Sequence, residues 1–128
     1  MTPKEIFERY VWTGLTRDAD AQAQLFTPDG EFEAPLLPPG SPLPRRLKGH
    51  DQLREGFAAH HRAASAGGKR AAPEQSRYEL HRTADPDVFI VEIDAVLTDG
   101  TESVTMSLVQ IFRLRDGKIA SLRDYFAL

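Results

Sequence analysis

Four polar side chains in the C-terminal third could do proton chemistry if the chain folds them onto one surface: Glu92, Asp94, Gln110 and Asp124. All four lie in stretches rich in β-branched and aromatic residues, broken by Asp99-Gly100 and Asp116-Gly117, which read as hairpin turns. Side chains alternate across a strand, so the hairpin register decides which of them meet. Two-residue turns pair Asp94 with Thr105 and Val109 with Asp124. Three-residue turns, with glycine in the left-handed position, pair Asp94 with Val104, Glu92 with Met106 and Leu108 with Asp124. The second register is preferred because it gathers Val88, Ile90, Val96, Met106, Leu108, Phe112, Leu122 and Phe126 on one face with the four polar residues. Phe89, Val91, Ile93, Val109 and Ile111 then share the other face with Ser103, Thr105, Ser107, Ser121 and Arg123. Carboxyls held in such an apolar concavity resist ionisation, which is how a general acid or base is made.

The other candidates sit around these. Tyr10, on the first helix, could polarise a ligand oxygen together with Gln110. Trp12, Phe32, Met106, Leu108 and Phe126 are the expected apolar contacts of a ligand. Structural roles stand beside these readings. Asp124 could be a buried, hydrogen-bonded aspartate that serves the fold, and Glu92 and Asp94 could be paired at a rim with Arg45, Arg46 or Arg54. His60-His61 is no metal pair, because adjacent helical residues point about 100° apart. With only His50 and His81 elsewhere and no cysteine, neither a metal site nor a cofactor is expected. The formal charge of −3, without a basic stripe, argues against nucleic-acid binding. No apolar run is long enough to span a bilayer, the N-terminus lacks the layout of a signal peptide, and the absence of cysteine fits the cytoplasm.

The elements that must position these residues follow from the punctuation of the chain. Thr2, Pro3 and Glu5 form a capping box for a first helix, whose buried face is Ile6, Phe7, Tyr10, Val11 and Leu15. Asp18 caps a shorter helix reaching Leu25 and Phe26, and Pro28-Asp29-Gly30 turns the chain into a strand through Phe32. Residues 35–44 hold five of the nine prolines and read as an ordered loop or lid. Gly49-His50-Asp51 opens a third helix, with Leu53, Phe57 and Ala64 inward, which ends at Gly67-Gly68. After a loop over 69–75, four strands follow: Arg77 to Thr83, Val88 to Thr98, Glu102 to Leu114, and Lys118 to the end. The 128 residues therefore predict one α+β domain, 1–128, with a curved antiparallel sheet wrapped around three helices from the N-terminal half and an internal pocket.

The segment Gln110-Ile111-Phe112-Arg113-Leu114-Arg115-Asp116-Gly117-Lys118-Ile119, continuing through Leu122-Arg123-Asp124-Tyr125-Phe126, resembles the last hairpin of SnoaL-like proteins. These belong to the nuclear transport factor two superfamily, with ketosteroid isomerases, polyketide cyclases and limonene epoxide hydrolases. The resemblance extends through Glu8-Arg9-Tyr10-Val11, the Leu25-Phe26 to Pro35 stretch and Gly49 onward, and implies the cystatin-like cone. It aligns Asp124 with the acid/base aspartate of the cyclases and one aspartate of the epoxide hydrolases. Asp94 aligns with the hydrolases' other aspartate if a hairpin here is one residue shorter. Glu92 stands at their arginine, and Phe32 and Ala34 at their tyrosine and asparagine. Tyr10 aligns with the oxyanion tyrosine of the steroid isomerases, whose base falls at Ala34 and whose second oxyanion acid falls at Gln110. The cyclases carry histidine at Gln110.

Together these imply an acid/base enzyme (isomerase, cyclase or hydrolase) acting on an apolar terpenoid, polyketide or steroid-like compound. Asp124, Asp94, Glu92 and Tyr10 would be its catalytic groups. The competing expectation is a non-catalytic ligand-binding or scaffold protein of the same fold. The apolar residues of the outer sheet face predict a twofold homodimer.

Overall fold

The computed structural model describes residues 1–127. Helix α1, Pro3–Leu15, starts at the expected capping box: the Thr2 side chain accepts from the Glu5 amide while the Glu5 carboxylate accepts from the Thr2 amide. Its buried face is Ile6, Phe7, Tyr10 and Thr13. Val11 and Leu15, expected in the core, instead look into a cavity. Asp18 caps α2, Ala19–Gln24, by accepting from the Ala21 amide. The chain then enters β1, Phe26–Glu33, whose edge is covered by β2, Arg46–Lys48. Helix α3 spans Gly49–Ala66 and turns Leu53 and Phe57 inward. Five further strands follow: β3, Arg70–Ala71; β4, Arg77–Arg82; β5, Val88–Thr98; β6, Ser103–Arg115; and β7, Lys118–Tyr125. The last strand stops short of Leu128, which lies outside the described residues.

One curved sheet runs in the order β2-β1-β7-β6-β5-β3, with β4 also paired to β5, and the helices pack on its concave side. It is antiparallel except where β1 joins β7 in parallel. Gly30 makes that junction possible. A Cβ there would lie 2.8 Å from the Phe26 Cβ and about as close to the Thr27 and Ile119 carbonyls, at the point where β1 shifts register. Two short strands, β2 and β3, were not expected from the sequence.

The hairpins correct the expected register. The β5–β6 pairing ends at Thr98 opposite Ser103, leaving a four-residue loop. Asp99 fixes that loop, because its carboxylate accepts from the amides of Thr101 and Glu102, at 2.8 and 2.7 Å. Asp94 therefore pairs with Ser107 and Glu92 with Val109, and all four side chains point away from the helices. Phe89, Val91 and Ile93, expected outside, take the inner face. The β6–β7 turn is the two-residue Asp116-Gly117 pair, both at positive φ, followed by a register shift after Arg113. That shift sets Gln110 opposite Asp124 and keeps both inside.

The inner face closes over an aromatic core. Phe89 and Phe112 are cross-strand partners and stack at 4.7 Å. Phe7 and Tyr10 of α1 meet Phe112 edge-on, at 6.2 and 5.8 Å. Phe57 of α3 packs its edge against Phe32 of β1, at 5.4 Å. The proline-rich segment is pinned by Leu37 and Leu43, both buried.

Candidate functional site

Between α1, α3 and the inner sheet face lies a cavity of about 510 Å³. Its walls include Phe32, Leu43, Phe57, Leu97 and Phe126. Its buried polar groups are Tyr10 from α1, Gln22 from α2, Gln110 from β6 and Asp124 from β7, while Arg17, His60, His61, Lys69 and Arg70 line it nearer the surface. Asp124 is only 8% exposed. Its Oδ2 accepts from Gln110 Nε2 at 3.1 Å, while Oδ1 has no partner. Burial pushes the Asp124 carboxyl up to about 7, and the Gln110 hydrogen bond only partly opposes it. Tyr10 is held neutral well above the usual phenol range, first by burial and then by the nearby Asp124 charge, eased by the Gln22 amide. A carboxyl that titrates near neutrality beside a phenol that stays protonated is a proton acceptor or donor next to a hydrogen-bond donor.

Of the residues expected at the site, Asp124, Tyr10, Gln110, Phe32 and Phe126 are brought together around the cavity. Asp94 and Glu92 are not. They lie on the opposite face of the sheet, because the four-residue loop flips the parity of β5 relative to β6. Asp94 accepts from Ser107 Oγ at 2.7 Å and Arg77 Nε at 3.1 Å, which hold its carboxyl below the usual range. Glu92 faces His81 at 3.7 Å, with its side chain 63% exposed. Their partners are therefore Arg77 and His81, not Arg45, Arg46 or Arg54. The β5 side chains on the inner face are Phe89, Val91, Ile93, Ala95 and Leu97, and none can move a proton. The hollow of about 570 Å³ that Glu92 and Asp94 do line holds the Arg77–Asp94 ion pair, with Tyr78, Ile93, Leu108, Val109 and Tyr125 also on its walls.

Trp12 is 65% exposed and stands in a separate hollow with Met1 and Leu25. Two residues along a helix turn by about 200°, so Trp12 points away from Tyr10 and the cavity. Met106 and Leu108 do face inward and pack on the core, but they lie off the wall around Asp124. The sequence reading missed Gln22, 5% exposed with its Oε1 unpartnered. Its signal was a polar residue beside Ala23 on the apolar side of α2. It also passed over the cavity-lining role of His60 and His61, both of which burial holds below the usual imidazole range. Among the described residues Glu79, His81 and Glu92 bring ligand-type atoms within 4.8 Å of one another, on the solvent-facing side of the sheet.

A curled sheet wrapped on three helices, with one buried acid at the bottom of a cavity, defines a cone of the nuclear transport factor two and ketosteroid isomerase type. The chain belongs to the SnoaL-like domain family, whose profile matches residues 7–122. An uncharacterised PhzA/B-like protein of Pseudomonas aeruginosa is 31% identical over 133 aligned positions, covering 98% of this chain and 84% of that protein. Two solved structures illustrate the shared fold. One, from Bacillus subtilis and assigned provisionally as an isomerase, has a TM-score of 0.76 at 20% identity, covering 97% of this chain and 85% of its own. The other is SalBIII, described as an epoxide hydrolase/cyclase-like enzyme of pyran ring formation in salinomycin. It has a TM-score of 0.66 at 24% identity, covering 98% and 90%. No helix among the described residues is long and apolar enough to cross a membrane.

Proposed function

We propose that this is a single-domain, cytoplasmic acid/base enzyme that isomerises, cyclises or hydrates a largely apolar small molecule. The observation that carries the reading is Asp124. It is a desolvated carboxyl with one oxygen fixed by Gln110 and the other free, opening on a cavity of about 510 Å³. Asp124 takes or gives the proton, and the Tyr10 hydroxyl donates to the ligand oxygen where charge develops. Burial raises the carboxyl's basicity toward neutral pH, so both protonation states are populated under ordinary conditions. The family membership and the isomerase and cyclase-like names of its fold neighbours support this class of chemistry. The reading extends to a homodimer through the outer sheet face, where Val88, Ile90, Val109 and Ile111 are only half-buried.

A second reading, a non-catalytic pocket protein, is favoured by the outward placement of Glu92 and Asp94, which leaves Asp124 as the one carboxyl lining the cavity among the described residues. Asp124→Asn separates the two, assayed on a panel of epoxides, enones and polyketide-like ketones. An enzyme loses turnover while ligand affinity stays nearly intact. A binding protein shows no turnover before or after the change, and its affinity shifts by about 1 kcal/mol through one altered hydrogen bond. Turnover that survives in Asp124→Asn would rule out Asp124 as the proton carrier.

A further inference from the structure

The cavity that reaches Asp124 is charged unequally from one end to the other. Its exposed end is lined by Arg17, Lys69 and Arg70, with His60 and His61 beside them. Asp124 is the only carboxylate among the described residues that line it. Two of the three cations are already engaged: Lys69 lies 3.8 Å from Asp99, and Arg70 lies 3.3 Å from Glu74. Arg17 has no carboxylate in ion-pair reach among the described residues. It occupies the turn between α1 and α2 at φ 55, a backbone conformation a side-chain-bearing residue seldom adopts. Nearby, His61 Nδ1 is buried without a partner.

The inner end has the opposite character. Gln22 Oε1, Gln110 Oε1 and Asp124 Oδ1 are all buried acceptors without donors. Three unpartnered oxygens, one of them on a carboxylate, repel an anion. These acceptors disfavour a fully charged anionic group at the inner end, where the Tyr10 hydroxyl is the donor, and so favour the opposite orientation for an acidic ligand.

We propose that the ligand of this cavity is an apolar acid, bound with its anionic group at the mouth against Arg17 and its apolar body directed toward Asp124. This rests on the reading of Asp124 as the working end of the cavity, and it adds the charge and the orientation of the substrate. Arg17 supplies a planar guanidinium that can hold a carboxylate through two parallel hydrogen bonds. The apolar body lies along Phe32, Leu43 and Phe57. The atom that exchanges a proton is then the one remote from the acid group.

The test is isothermal titration of the purified protein with 2-naphthoate and with methyl 2-naphthoate. The two share an apolar body and differ in charge. The acid should bind about tenfold more tightly than the ester, the ratio expected of one charge-assisted contact at a partly exposed site. Raising the salt should shrink the ratio. Arg17→Gln should abolish the preference while leaving ester affinity unchanged, and Arg17→Lys should keep most of it. Equal binding of acid and ester overturns the proposal, as does an Arg17→Gln variant that weakens both alike. Either result leaves the Asp124 reading standing, because ester binding that still protects the Asp124 carboxyl from titration reports on that end alone. Binding of neither probe counts against both readings.

Discussion

Replacing Asp124 with asparagine should stabilise the fold above neutral pH, although it removes a buried, hydrogen-bonded side chain. Burial raises the Asp124 carboxyl from 3.8 to about 7. The native state therefore keeps a proton that the unfolded chain releases near 3.8. Below that value both states are protonated and the group costs nothing. As pH rises toward about 7 the native state is progressively penalised, and above it the penalty is complete. The interval spans about three pH units, at about 1.4 kcal/mol each, so the full penalty is about 4 kcal/mol. Asparagine keeps the shape, can still pair with Gln110 through its amide, and does not ionise. Urea unfolding of the two proteins at pH 4 and pH 8.5 checks this. The variant should gain up to about 4 kcal/mol on the wild type at pH 8.5 and nothing comparable at pH 4. A variant less stable at both values would show that Asp124 serves the fold. A gain of equal size at both would show that the carboxyl is not desolvated as described.

Three further outcomes follow from the same geometry. Glu92→Gln and Asp94→Asn should leave ligand affinity and any turnover at the wild-type level, because both side chains lie across the sheet from the cavity; a loss of activity in either would overturn that placement. Gly30→Ala should destabilise the protein by about 1–3 kcal/mol in denaturant titration, since its Cβ would collide with the Phe26 Cβ and two carbonyls where β1 bends against β7. Sedimentation equilibrium at tens of micromolar, on the order of concentrations that populate a standard-sized interface, should report a dimer, and Val109→Glu on the outer face should shift it toward monomer.

How much of this was legible depended on whether local chemistry settled the question. The first helix was readable because Thr2, Pro3 and Glu5 define its start without reference to the rest of the chain. The turn into β7 was readable in place for a similar reason, as Asp116-Gly117 suits only a tight turn, but its register was not, since Gln110 rather than Leu108 pairs with Asp124. The β5–β6 register was not. Apolar residues occur on both faces of β5, so clustering them favoured the wrong parity, while the deciding contacts were two backbone amides gathered by the Asp99 carboxylate. A slip of three positions, an odd number, moved two carboxyls out of the site. Strands β2 and β3 are three and two residues long, too short to carry a periodic signal. Gln22 and Arg17 were invisible as site residues because their place depends on how α2 packs over β1 and α3, a tertiary fact that spacing along the chain does not encode.

Gln110 is where the electrostatics of the cavity can be tuned without touching its acid. Its Nε2 donates to Asp124 Oδ2 at 3.1 Å, and that bond favours the ionised carboxylate. Gln110→Leu removes the donor and puts an apolar side chain of similar length in a site only 6% exposed. The carboxylate then has neither oxygen paired, so the protonated form gains. Loss of one hydrogen bond to a charged acceptor is worth about 1.5–3 kcal/mol, which moves the midpoint upward by about one to two pH units. Carbon-13 NMR titration of the Asp124 carboxyl follows this directly, with no substrate required. If Asp124 is the base of a reaction, the acid limb of the pH–rate profile must move upward by the same amount, since both report the same proton. An NMR midpoint that stays near 7 or falls would mean that Gln110 does not govern the carboxyl. A midpoint that rises while the rate profile stays fixed would assign the rate-limiting proton to another group.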